Sequence, residues 1–162
     1  MMTDQVESSY SEPKMIDDLL TELKQTWHQT IPVSEFMQIS PLGYRDNQLM
    51  VTAPLPPNIN LHQTMFAGSI YTLATLTGWG MIWLQQRIGG VEGEIVLADG
   101  HVRYLAPISG SSTAKVSWPD VDLSRLTLGR RVKVKLVVEI YASDRCCAEF
   151  EGIYISQPVP HT

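Results

Sequence analysis

The chain has 162 residues and is 44% hydrophobic, with 12 basic against 17 acidic side chains and a net charge of −5. That length and apolar share suit one domain with a buried core, and the acidic balance argues against nucleic acid as a main partner, because phosphate binding shows as a basic excess. Cys146 and Cys147 are sequence neighbours, a spacing that rarely meets disulfide geometry, so they read as reduced, small apolar residues.

No Cys or His cluster has the spacing of a zinc site. The N-terminus lacks a basic segment followed by an apolar run, so no signal peptide is read there, and the expected location is the cytoplasm. Residues 1–10 are polar and expected to be disordered, with a single domain over 11–162.

In chain order, "SEPKMIDDLLTELKQTWHQT" sets Ile16, Leu19, Leu20, Leu23 and Trp27 at helical spacing, an apolar stripe on a charged background. Ser11 is a candidate N-cap with Pro13 in the first turn, and Pro32 closes the region. "EFMQISPLGYRDNQLMVTAPLPP" predicts two short strands around a turn at Gly43 to Asn47, and its prolines then make a stiff loop. From Phe66 to Arg87 the pattern is helical again, with Ile70, Leu73, Ala74, Thr77, Met81 and Leu84 on one face and small or apolar residues over most of the other. A helix apolar nearly all round is buried on nearly all sides.

After the glycines of "RIGGVEGE" the chain predicts four strands: "EIVLADGHVRYLAP" with Gly100 as a candidate bulge, "SSTAKVSW", and a hairpin turning at Ser143–Asp144. The uncharged helix approaches the ~20 residues that span a bilayer. Ser69, Tyr71, Thr72, Thr75, Thr77, Gly78 and Gly80 make it too polar for a single span. It is expected to be the core of an α+β domain, with an antiparallel sheet wrapped around it and an additional N-terminal helix.

"NLHQTMFAGSIYTLA" resembles the segment that opens the central helix of hotdog-fold thioesterases of the phenylacetate-pathway type, where Asn-x-His-x-Thr-x-x-Gly-Gly precedes the helix. Asn60, His62, Thr64 and Gly68 fall in register, and Ala67 replaces the first glycine. "VRYLAPISG" is similar to the Tyr-x-x-Pro-x-x-Gly of a hotdog strand. The closer resemblance, carried by "TMFAGSIYTLATLTGWG" and "LADGHVRYLAP", is to a bacterial group of thioesterase-like domains that in some proteins follow a GNAT-type acetyltransferase domain. It covers Ser34 to Ser156 and includes nothing of the acetyltransferase part. The resemblance implies a hotdog fold with its site at a dimer interface, as a homodimer or a dimer of dimers.

The motif also has its own physics. A helix N-terminus leaves its first N–H groups unpaired and carries partial positive charge, which suits a thioester oxygen that becomes negative during reaction. Ala67 and Gly68 are the expected donors. Asn60 can orient water or bind the carbonyl, or simply close an Asx turn. His62 can act as acid or base, or shape the loop. Thr64 is expected to cap the helix.

The resemblance places a carboxylate at the position of Thr75, whose hydroxyl can hold water but not take its proton unaided. Asp99 is then the candidate base, or else an exposed bulge residue. Phe66, Ser69, Tyr71, Arg103 and Tyr104 join Thr64 as candidate substrate contacts. Arg103, Arg130, Arg131 and Lys133 are candidate phosphate contacts for coenzyme A or acyl carrier protein. No cofactor is expected, since the substrate brings its own pantetheine arm. Three functions follow: hydrolysis of acyl-CoA or acyl-carrier-protein thioesters, decarboxylation of a malonyl thioester, or acyl-thioester binding without turnover.

Overall fold

A computed structural model describes residues 4–160, with side chains described from Met15 onward. Helix α1 (Asp4–Thr30) leads into the short helix α2 (Pro32–Phe36). Of the stretch expected to be disordered, residues 1–3 lie outside the described residues and α1 takes in the rest within its bounds. The helix therefore opens ahead of Ser11 and Pro13; no Gly or Pro between Asp4 and Glu12 stops it there. As expected, α1 ends at Thr30, just ahead of Pro32. That proline starts α2, where its missing N–H costs nothing.

Strands β1 (Ser40–Arg45) and β2 (Gln48–Ala53) form a hairpin. Its turn is Asp46–Asn47, both at positive φ, the two-residue geometry that matches strand twist. A 3-10 turn (Pro56–Asn58) follows, then α3 (Ala67–Gly89), β3 (Glu94–Tyr104), β4 (Ser112–Ser117), a second 3-10 turn (Ser124–Leu128), β5 (Val132–Ala142) and β6 (Arg145–Gln157). All pairings are antiparallel, in the order β1-β2-β4-β5-β6-β3. The expected α+β architecture is present, a six-stranded sheet around α3 with an extra N-terminal helix.

Alternation in β5 sends Val132, Val134, Leu136, Val138 and Ile140 inward and leaves Lys133, Lys135 and Glu139 outside. The inward row meets α3, whose Leu73, Ala74, Met81, Ile82 and Leu84 are wholly buried. The opposite side of α3 is covered by α1: Leu23 and Trp27 are fully buried, and a Cβ on Gly80 would lie 2.6 Å from the Trp27 ring. Among the described residues no helix is long and apolar enough to cross a membrane.

The bulge in β3 is at Ala98, where the pairing with β6 slips between Leu97 and Asp99, and not at Gly100. Gly100 answers a different need. A Cβ there would run into the Tyr71 hydroxyl, so the missing side chain lets α3 approach the edge strand.

Candidate active site

The chain between Asn58 and Phe66 doubles back on itself. Phe66 N–H donates to the Asn58 carbonyl at 2.7 Å, Ile59 bridges Met65, and Asn60 N–H donates to the Thr64 carbonyl at 2.8 Å. Asn60 holds the tip: its Oδ1 accepts from His62 N–H (2.9 Å), Thr64 N–H (3.2 Å) and Thr64 Oγ1 (3.2 Å). This is an Asx turn with its acceptor bonds spent inside the loop, while Nδ2 has no partner among the described residues. Met65 N–H reaches the Ile108 carbonyl at 2.8 Å and ties the loop to the segment after β3.

Thr64 does not cap α3, because its hydroxyl is committed to Asn60. The N-cap is Phe66, at φ −59° and ψ 135°, with no side-chain cap. The Ser69 and Ile70 N–H groups both donate to the Phe66 carbonyl, at 2.9 and 3.1 Å. The N–H groups of Ala67 and Gly68 have no partner among the described residues, and they are the two donors the sequence predicts. They also sit at the positive end of a 23-residue helix.

A groove of about 370 Å³ runs beside this turn, lined by Asn60, Thr64, Met65, Ala67, Ile70 and Tyr104 and closed below by Leu105 to Ile108. Its wall is mainly apolar and includes no carboxylate, imidazole or cationic side chain. Phe66, 56% exposed, lays its ring over Gly68, where a Cβ would meet it at 2.5 Å. Tyr104 closes one side and donates its hydroxyl to the Ala67 carbonyl at 3.0 Å. Burial, and then the nearby Tyr71, push the Tyr104 hydroxyl above the usual tyrosine range.

Other candidates stand apart. His62 is exposed at the loop tip, and only its backbone N–H joins the turn. Ser69 is buried. Tyr71 points to β3 and packs edge-on against Phe150 with ring centroids 5.5 Å apart. Thr75 shares a helix stripe with Tyr71 and Trp79, whose Nε1 donates to the Ile95 carbonyl of β3. Its hydroxyl is buried and unpartnered, unlike Thr72 and Thr77, which bond the carbonyls one turn back. Thr75 lies roughly 10 Å of axial rise beyond Gly68, so within one chain it cannot touch the carbonyl those amides would hold.

Asp99 and Arg103 are exposed, on the face of β3 opposite Leu97 and Val102, which pack on the core. Arg103 faces Glu149 across the strand pair. Arg130, Arg131 and Lys133 flank Val132, which pairs with Ser156, and Ser156 accepts from Gln86 in the closing turns of α3. Arg103 directly precedes Tyr104 of the groove lining, whereas Arg130, Arg131 and Lys133 are at the far end of the helix from the groove. Two hollows of about 430 and 440 Å³ also lie there, around Asp122 and Arg87. The negative end of the helix dipole is the wrong place for an oxygen that gains charge. Among the described residues no cluster of His, Cys, Asp or Glu could hold a metal ion.

The floor of the groove, Met65 and Leu105 to Ile108, escaped the sequence because it is built from a loop and a strand exit 40 residues apart. Its one sequence signal is the Tyr-x-x-Pro of "YLAP" just after β3.

A family model described as "Putative thioesterase (yiiD_Cterm)" matches residues 20–158. The chain belongs to this hotdog-fold thioesterase family. A crystal structure of a protein from Shewanella oneidensis, described in the same words, shares 61% identity over 88% of this chain and 99% of its own, with a TM-score of 0.86. A protein of unknown function from Chlorobaculum tepidum is 28% identical over 89% of this chain and 97% of its own, with a TM-score of 0.79. A thioesterase from Haemophilus influenzae, 15% identical over 88% of this chain and 93% of its own, shares the fold with a TM-score of 0.71. Membership supports thioesterase activity in general.

Proposed function

We propose that this thioesterase holds an acyl thioester, carried on coenzyme A or acyl carrier protein, with its carbonyl oxygen against the Ala67 and Gly68 N–H groups and its acyl chain along the groove. What supports this is the pair of unpartnered amides at the start of α3, the first of them on Ala67, which lines a mainly apolar groove. In hydrolysis, water adds to the carbonyl carbon and gives up a proton to solvent or to a base, while the carbonyl oxygen becomes an oxyanion facing the two donors. The C–S bond then breaks, and the departing thiolate is protonated as the free thiol. In this reading Asn60 Nδ2 donates to the same oxygen or to the water.

A second copy completes the site in this proposal. β3 is an edge strand of 11 residues with one side unpaired, while the other edge, β1, is six residues long and contains Pro41. Pairing β3 with its counterpart buries the longer edge and covers exposed Val96. Thr75 and Asp99, on or facing that strand, then come to the interface.

Decarboxylation is supported by a specific absence: no carboxylate lines the groove to act as a base. In a malonyl thioester the bond to the distal carboxylate breaks, carbon dioxide leaves, and the electron pair moves to the enolate oxygen held by the same amides. A solvent proton on the enolate carbon then gives the acetyl thioester. Incubation with saturated acyl and malonyl thioesters, followed by mass spectrometry, separates the two. Free acid with free thiol supports hydrolysis, whereas acetyl thioester with carbon dioxide supports decarboxylation. Asp99→Asn lowers only a hydrolysis that uses that base. No product from any thioester removes both functions and leaves a binding domain.

A further inference from the structure

Among the described residues, a side-chain hydrogen bond from outside the helix reaches the first turn of α3, and it falls on the peptide that supplies a free donor. Tyr104, the last residue of β3, donates to the Ala67 carbonyl at 3.0 Å. That carbonyl and the Gly68 N–H belong to one planar group, so a bond at the oxygen end restrains where the N–H end points. It also draws electron density toward oxygen and leaves the N–H a stronger donor, the mutual strengthening of hydrogen bonds in a chain.

Thr72 provides an internal contrast. Its hydroxyl donates to the Gly68 carbonyl at 2.9 Å, but the N–H of that peptide, on Ser69, is already bonded to Phe66. Only the Tyr104 bond acts on a donor that is free.

The base of Tyr104 is firmly held. It pairs with Ala148 on β6, and the next two N–H groups, of Leu105 and Ala106, both donate to the Cys147 carbonyl at 2.8 and 3.1 Å. Tyr104 is half exposed, so its hydroxyl could bond water, yet it reaches across to the helix. The raised ionisation of that hydroxyl keeps it a donor through the neutral range.

We propose that Tyr104 is a positioning residue: through the Ala67–Gly68 peptide its hydroxyl aims and polarises the Gly68 N–H. This rests on the two amides being the oxyanion donors. It gives the tyrosine a role other than substrate contact.

Tyr104→Phe tests it in the full-length protein with whichever thioester is turned over. The expected result is a three- to tenfold fall in kcat with KM within twofold, and an upfield shift of the Gly68 amide proton in the NMR spectrum of the free protein. An unchanged kcat with an unmoved Gly68 resonance overturns it, and so does a loss confined to KM, which would mark a substrate contact. Ala67→Pro, measured alongside, tests the reading beneath. Full activity in that variant removes the oxyanion site itself, whereas a collapse there with normal turnover in Tyr104→Phe removes only the role of Tyr104.

Discussion

Ala67→Pro deletes one of the two proposed donors while leaving the helix able to form. Ala67 is the first residue of α3, where proline is well tolerated and its N–H serves no helical bond. The preceding residue, Phe66, already sits at φ −59° and ψ 135°, the extended region that a residue before proline prefers. No hydrogen bond within the protein is lost, because the Ala67 N–H has none. Removal of a single oxyanion donor costs ~10²–10³ in kcat, or about 2.7–4 kcal/mol in the transition state. This groove is open to solvent on one side, so water can replace part of the lost bond and the low end of that range is expected. The assay is steady-state thiol release, or acetyl thioester formation if that is the product, beside a thermal melt and far-ultraviolet circular dichroism. Ala67→Gly, which keeps the N–H, serves as control and stays within a few-fold of the parent. A folded Ala67→Pro with kcat within threefold of the parent would refute the oxyanion assignment.

Asn60→Asp keeps the acceptor for all three loop bonds and replaces the Nδ2 donor with oxygen; the melting temperature should stay near that of the parent while kcat/KM falls at least tenfold, whereas an unaffected kcat/KM would leave Asn60 as loop closure alone. Gly80→Ala pushes a Cβ to 2.6 Å from the Trp27 ring; chemical denaturation should show a loss of about 1–3 kcal/mol from overpacking. Tyr154 is buried and donates to the Thr75 carbonyl at 2.8 Å, and burial holds its hydroxyl well above the usual range. The unfolded chain releases this proton from about pH 10 upward while the folded chain keeps it, so stability is fully present below that pH and lost as pH rises. Tyr154→Phe should flatten that alkaline decline without abolishing it, since Cys146 and Tyr104 shift in the same direction. Burial likewise raises the Cys146 thiol, so alkylation at pH 8, followed by mass, should be slower in the folded protein than in urea.

The parts of the fold that sequence revealed are those governed by periodicity. The uncharged run after Phe66 announced α3, strict alternation announced β5, and Ser143–Asp144 marked its hairpin. Local signals failed where a distant partner decided the outcome. Thr64 looked like a helix cap, but Asn60 engages its hydroxyl, and the cap passed to Phe66, a residue with nothing to donate or accept from its side chain. Gly100 looked like a bulge because glycine often marks one; its real reason is the Tyr71 hydroxyl, 29 positions earlier in the chain. Asp99 drew attention as an acid in an apolar strand. The bulge at Ala98 sets it on the outer face with Arg103, and no pattern within one strand could have shown which residue the bulge would displace. Arg130 and Arg131 are candidate phosphate contacts on charge alone, and topology puts them at the other end of α3 from the groove.

Gly78 and Gly80 act on α3 as a pair. Tyr154 reaches up from the sheet to lie against Gly78, and Trp27 comes down from α1 onto Gly80. Two positions along a helix are about 200° of turn, so the rings press from nearly opposite sides. A cylinder between two such seats can neither spin nor slide. The direction in which its amino end points is thus set some ten residues away from that end, by contacts outside the groove. A side chain beside the groove can then change in size while these two seats, which lie outside the groove, stay as they are.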